Sequence, residues 1–313
     1  MNPNLIIPVG TQIVSRVEIK NKEEIVCLQG AVGVIIHAPT DNSHSYKVRL
    51  TGDREVILRR HEFSIRKHYQ KQGLQNANDM LAELNLYDYV IYRCVVGSRA
   101  FGLDNEHSDT DLRGIYLPPA NLHWSLYGIP EQLENHDNQE CYWELQKFII
   151  LALKANPNIL ECLYTPMVEK TTAIAEELIA NKEIFLSRLV YQTYNGYVMS
   201  QFKKMERDLR NRGKIKHKHA MHLIRLLLSG ITVLKEGFVP VKVEKYRDRL
   251  LAIRNGEMPL EEVNKWRLDL HEEFDSSFYN TSLPERPDYE KANQFLIKAR
   301  HSLVTHAESL LIK

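Results

Sequence analysis

The sequence predicts a multidomain α+β protein, and three successive compositions predict it. Residues 8–68 hold short β-branched runs, residues 79–168 alternate between strand and helix patterns, and from about 170 onward apolar residues recur at helical spacing. The domains expected from these shifts are 1–70, a small SH3-like β-barrel; 71–168, an α/β core; and 169–313, a helical domain. A chain of 313 residues has room for two or three domains, and 43% hydrophobic with 26% charged residues suits globular cores.

The elements follow in order. "TQIVSRVEI", "AVGVIIHA", "SYKVRL" and "REVILRR" are short strands parted by Gly, Pro, Asn and Asp, and "LTGDREV" reads as the hairpin turn between the last two. "HYQKQGLQNAND" is a linker, with Asn78 or Asp79 as the cap of a short helix over "MLAELNL". "YVIYRCVVG" and "DTDLRGIYLP" are strands, and "QECYWE" is a third. "ELQKFIILALKAN" is a helix that stops at Asn156-Pro157, since proline does not continue it. Six further segments carry helical spacing, and Gly213, Gly237 and Gly256 stand where helices end.

Composition excludes several classes. The net charge is +1, so the chain is no polycation and any nucleic-acid contact comes from a local patch. None of its four cysteines is in Cys-x-x-Cys spacing, which argues against a zinc ribbon or disulfide framework and for a reducing compartment. No signal peptide and no spanning run is evident, so a cytoplasmic protein without membrane contact is expected.

The chemistry concentrates in "VVGSRAFGLDNEHSDTDLRGIYLPP", residues 95–119. Asp109 and Asp111 lie at i and i+2, which on a strand points both carboxylates to one face. Carboxylates that close repel unless a cation sits between them. Mg²⁺, or Mn²⁺, suits such ligands and keeps positions for water and substrate phosphates. Gly97 permits a tight turn after the strand, Ser98 adds a hydroxyl, and Arg99 adds charge at the start of a short helix whose N–H groups can meet phosphates. Either motif alone is ordinary loop chemistry; together, between two apolar strands, they point to a nucleoside triphosphate site.

This combination resembles the nucleotidyltransferase superfamily of DNA polymerase β. The blocks "VGSRAFGL", "HSDTDLRGIYLPP", "KFIILALKANPNILECLY", "HKHAMHLIRLL" and "LLAIRNGEM" resemble, in order, the RNA-ligase-associated predicted nucleotidyltransferases, over roughly residues 85–305. The resemblance implies a polymerase-β-like core, nucleotide binding at Gly97, Ser98 and Arg99, and metal ligation by Asp109 and Asp111. It implies a third carboxylate on a neighbouring strand. The candidates are Asp137, Glu140 and Glu144, and Glu140 is preferred. The family's aspartate falls on or near Gln139, where this sequence departs from the pattern, and Glu144 has a plain structural alternative as a helix-opening acid. The resemblance also brings Lys218, His219 and His222 towards the cleft as nucleotide contacts, and Lys147 and Asn156 as substrate-positioning candidates. A zinc site at His217, His219 and His222 lacks an acid or cysteine to complete it.

Residues 203–219 hold eight Lys or Arg and two acids, and Lys203, Arg207, Arg210 and Lys214 would share a helical face able to contact RNA backbone. Tyr191, Tyr194, Tyr197 and Phe202 have a spacing that suits core packing more than base stacking. The expected activity is transfer of a nucleoside monophosphate from an NTP to an acceptor hydroxyl, with pyrophosphate release. By resemblance the first acceptor is an RNA 3′ end, with tRNA and an RNA ligase as candidate partners, and sequence-specific DNA binding is not expected. Two alternatives stand beside it: nucleotidylation of a protein hydroxyl, as in toxin–antitoxin relatives, and a nucleotide sensor or RNA adaptor with a weakened site.

Overall fold

The structure is a computed structural model that describes residues 6–308 except 22–23, 41–43, 68, 70–83, 107 and 127. It divides into two compact units, Met1–Leu84 and Asn85–Lys313. The cap expected at Asn78 or Asp79 and most of the helix expected over 80–86 lie outside the described residues.

In the first unit, β1 (Gln12–Ser15), β4 (Val32–His37), β5 (Tyr46–Leu50), β6 (Glu55–Leu58) and β7 (Phe63–Ile65) form an antiparallel sheet in the order β6-β5-β4-β1-β7. β2 (Ile19–Asn21) and β3 (Glu24–Cys27) pair separately, so "TQIVSRVEI" makes two strands rather than one. The Ser15 hydroxyl donates to the Val17 carbonyl at the break between them. Alternate residues of β5 are buried, as period-two patterning requires, and Tyr46 meets Phe63 edge-on at 5.1 Å inside the core. The expected "LTGDREV" hairpin forms, with the Leu50 amide bonded to the Arg54 carbonyl. Among the described residues no ladder joins β6 to β7, so the barrel expectation extends only as far as this five-stranded sheet.

The second unit is built on a mixed sheet in the order β10-β11-β9-β8-β12. β8 (Val90–Val96) runs antiparallel to β9 (Asp111–Tyr116), and β9 runs parallel to β11 (Glu140–Glu144). β10 (Gln132–Asn135) and β12 (Val168–Lys170) form the edges; both are short and polar, without the alternation that marks a strand in sequence. α1 (Gly97–Phe101) and α2 (Ala120–Trp124) are single turns beside the sheet. α3 (Leu145–Leu153) ends near the expected Asn156-Pro157 boundary, and Pro157 then opens α4 (Pro157–Tyr164), a position where its missing N–H costs nothing.

α5 (Ala173–Ala180), α6 (Leu189–Arg212), α7 (His217–Glu236), α8 (Arg247–Asn255), α9 (Leu260–Asn280) and α10 (Tyr289–Glu308) follow. Gly213, Gly237 and Gly256 cap α6, α7 and α8 in the left-handed conformation, as the sequence predicts. One hydrophobic core joins Tyr92, Cys94 and Ile115 of the sheet to α3, α4, α6 and α7, so sheet and helices form a single body. All four cysteines are free and buried. Among the described residues no helix is long and apolar enough to cross a membrane.

Candidate active site

Strand register builds the site. Val96, the last residue of β8, pairs with Asp111, the first of β9, so the turn that follows β8 lies against the Asp111 carboxylate. Gly97 makes that turn with φ +72°, and a Cβ added there would stand 2.6 Å from Asp111 Oδ2. Glycine suits this position on two counts: the positive φ, and the close approach of the Asp111 carboxylate, which an added Cβ would push aside. Asp111, Arg113 and Ile115 project to one face of β9, and that face passes from the buried core at Ile115 to an open cleft at Asp111. Arg113 Nη2 lies 3.4 Å from Asp111 Oδ1, while Arg113 Nη1 donates to the Leu112 and Gln139 carbonyls.

The cleft is about 400 Å³. Its sheet wall is Gly97, Asp111, Arg113 and Trp143, and its helical wall is Tyr197, Ser200, Gln201 and Lys204 of α6 with His222 and Arg225 of α7. At its base Arg225 Nη1 donates to Glu161 Oε1 at 2.5 Å, and the guanidinium lies 3.7 Å from the Phe101 ring centroid. This buried pair ties α4 and α7 to the turn that carries Gly97 and Ser98. Burial, with the nearby charges of Arg225, Lys218, His219 and Lys204, pushes the His222 imidazole down to about 3. His222 is thus neutral at physiological pH, with one donor and one acceptor nitrogen.

The remaining predicted residues fall in different places. Asp109 is exposed and precedes the start of β9, so only Asp111 is held by strand geometry. Ser98 is half-buried on α1. Arg99 donates to the Ser108 carbonyl at 2.8 Å and so fixes the loop that leads into Asp109. Glu140 pairs with Leu112, which turns its side chain to the opposite face of the sheet from Asp111, beside Tyr87 and Tyr142. The place next to Asp111 on the parallel strand falls to the parity of Gln139, Cys141 and Trp143, none of them acidic. Glu144 is buried and caps α3, accepting from the Gln146 and Lys147 amides and from Arg300. Asp137 sits in the exposed turn before β11.

On the helices, His222 lines the cleft; His219 Nδ1 instead lies 2.9 Å from Asp208 Oδ2, joining the end of α6 to the start of α7, and Lys218 is exposed. Lys147 pairs with Glu131 at 2.6 Å, and Asn156 caps α4. Lys203, Arg207 and Arg210 line a wide groove of about 840 Å³ along the outer face of α6, whereas Lys214 lies beyond the Gly213 cap, outside the helix. Tyr194 is fully buried and Tyr191 stacks on Phe278 at 4.3 Å, as core residues, while Tyr197 reaches the cleft. Among the described residues no cluster of three His, Cys, Asp or Glu is placed to hold a metal. Arg113 lies at i+2 from Asp111, and Ser200, Gln201 and Lys204 share one helical face with Tyr197 by spacing; of these the sequence singles out Tyr197 alone, and there as a core residue.

A Gly-Ser turn closing one strand against the acidic start of its neighbour, in a mixed sheet backed by helices, defines a polymerase-β-like nucleotidyltransferase core. Residues 66–298 match the RNA repair pathway DNA polymerase beta family, and the chain belongs to that family. The family implies nucleotidyltransferase activity and a place in RNA repair. The chain is also similar to an uncharacterized protein, YcgL, of Bacillus subtilis (strain 168), 27% identical over 154 residues. That match covers 48% of this chain and 58% of the relative.

Proposed function

We propose that the protein transfers a nucleoside monophosphate from an NTP to the 3′-hydroxyl of an RNA strand in the cytoplasm, with tRNA the first acceptor to test. One observation carries this reading. Ser200 and Lys204 line the Asp111 cleft and also the outer groove that holds Lys203, Arg207 and Arg210. The two hollows thus adjoin at Ser200 and Lys204, and the outer one is a cationic track that carries Lys203, Lys204, Arg207 and Arg210 against one acid, Glu206. A polyanion bound on that track by phosphate contacts is led to the cleft by its end. A protein acceptor needs no such track.

Within the cleft, Gly97 lets the turn approach Asp111 Oδ2 closely, and Arg113 and Lys204 place positive charge where a triphosphate enters. Asp109 and Asp111 are the residues that would hold Mg²⁺ or Mn²⁺, which neutralises triphosphate charge and activates the attacking oxygen when bound. A half-exposed carboxylate at an open cleft suits a hard cation that keeps water and phosphate oxygens as its other ligands.

The test is label transfer from each of the four α-labelled NTPs, with Mg²⁺ or Mn²⁺, onto total tRNA and onto the protein. Label in RNA that vanishes in the Asp109→Ala, Asp111→Ala double variant is the expected result. Label in protein alone would replace the acceptor. NTP binding with no label anywhere would leave a sensor. Replacing Lys203, Arg207 and Arg210 with Gln should weaken RNA binding and flatten its dependence on salt by about three phosphate contacts. An unchanged salt slope would remove the track.

A further inference from the structure

Two side chains that line the cleft each carry a buried polar atom without a protein partner, Arg225 Nε and Gln201 Oε1. Arg225 is 6% exposed, with its Nη1 engaged by Glu161 and its plane over Phe101. Buried polar groups are nearly always bonded, and leaving one unsatisfied is costly. Here the two are complementary, a donor on α7 and an acceptor on α6, and both side chains line one wall of the cleft. The cleft also contains two aromatic side chains, Trp143 from β11 and Tyr197 from α6, both partly buried. Two aromatic side chains beside a half-buried amide and a buried guanidinium suit a flat, hydrogen-bonding ring.

We propose that Gln201, with Arg225 and His222, reads the nucleobase of the bound nucleoside triphosphate, and that the base selected is adenine. This rests on the reading of the cleft as an NTP site. A glutamine amide accepts from an exocyclic amine through Oε1 while its own N–H donates to the neighbouring ring nitrogen. On the Watson–Crick edge adenine and cytosine present that amine beside an acceptor nitrogen. On the same edge uracil and guanine place a carbonyl where the amine must be, beside an N–H instead of an acceptor. Between adenine and cytosine, the larger purine covers more of Trp143 and Tyr197. The neutral imidazole of His222 adds a group that can donate or accept without introducing charge.

The experiment is calorimetric titration of the full chain with each of the four NTPs in Mg²⁺, for the wild type, Gln201→Met and Gln201→Glu. Thermal melting of each variant first establishes that it is folded. The expected result is tightest binding of ATP by the wild type. In Gln201→Met, ATP should weaken by roughly ten- to hundredfold, the loss of one bidentate base contact, with UTP nearly unchanged. Gln201→Glu should lose ATP preference as well, because a carboxylate accepts but does not donate. Equal affinity of the wild type for all four NTPs overturns the inference, as does an ATP preference that survives in both variants; neither touches the nucleotide reading of the cleft. No binding of any NTP by the wild type overturns that reading, and the inference with it.

Discussion

The two faces of the mixed sheet carry the same residue types and put them to opposite uses. On one face Asp111 stands half-exposed at a cleft, with a single long contact to Arg113 and with a glycine beside it instead of a side chain. On the other, Glu144 is buried and saturated by two amides and Arg300, and Glu140 lies beside Tyr87 and Tyr142. A carboxylate that already has its donors is structural, whereas one whose oxygens lack them next to open space is available for a ligand. The comparison also corrects the preference for Glu140 as third carboxylate: the strand's period of two, fixed by the Glu140–Leu112 pairing, sends it to the wrong face.

That contrast is sharpest in activity. Asp111→Ala should lower nucleotidyl transfer by about a hundred- to thousandfold, with little change in melting temperature, because the pair it makes with Arg113 is long and half-exposed. Glu140→Gln should stay within a few-fold of the wild type. Equal losses in the two variants would mean that the face of the sheet does not decide the role, and the site would have to be redrawn.

Stability should show the reverse order. Glu144→Ala removes a helix cap and leaves Arg300 without its buried acceptor, which together should cost about 2–4 kcal/mol. Chemical denaturation measures this directly. A midpoint equal to that of Asp111→Ala would show that the bonds Glu144 makes contribute nothing net.

Much of this organisation was legible in the sequence, for reasons that are local. The caps at Gly213, Gly237 and Gly256 follow from the need for a left-handed residue at a helix end. The turn at Gly97 and the strand at Asp111 follow from the apolar runs on either side. What stayed hidden is non-local. β10 and β12 are strands only because a neighbour pairs with them. Glu161 and Arg225 meet across 64 residues of chain, and no pattern in either segment announces the contact. Glu144 and Glu140 look equivalent until register assigns them a partner. His219 and His222 lie one turn apart, yet one is tied to Asp208 while the other reaches the cleft. Spacing put both on one face without saying what that face meets.

His222 gives the smallest effect and the most specific one. Its imidazole is held down to about 3, first by burial and then by Arg225, Lys218, His219 and Lys204. In the unfolded chain it titrates near its ordinary value of about 6.5. Between those two values the unfolded state binds a proton that the folded state does not, so stability falls as pH falls through that window and is fully present above it. His222→Asn removes the group and should flatten that part of the stability curve, with little change at pH values above the window. Urea denaturation of the two proteins across the acidic range would separate them. A wild-type slope that persists in His222→Asn would assign the acid sensitivity to other groups and would remove the case for a neutral imidazole in the cleft.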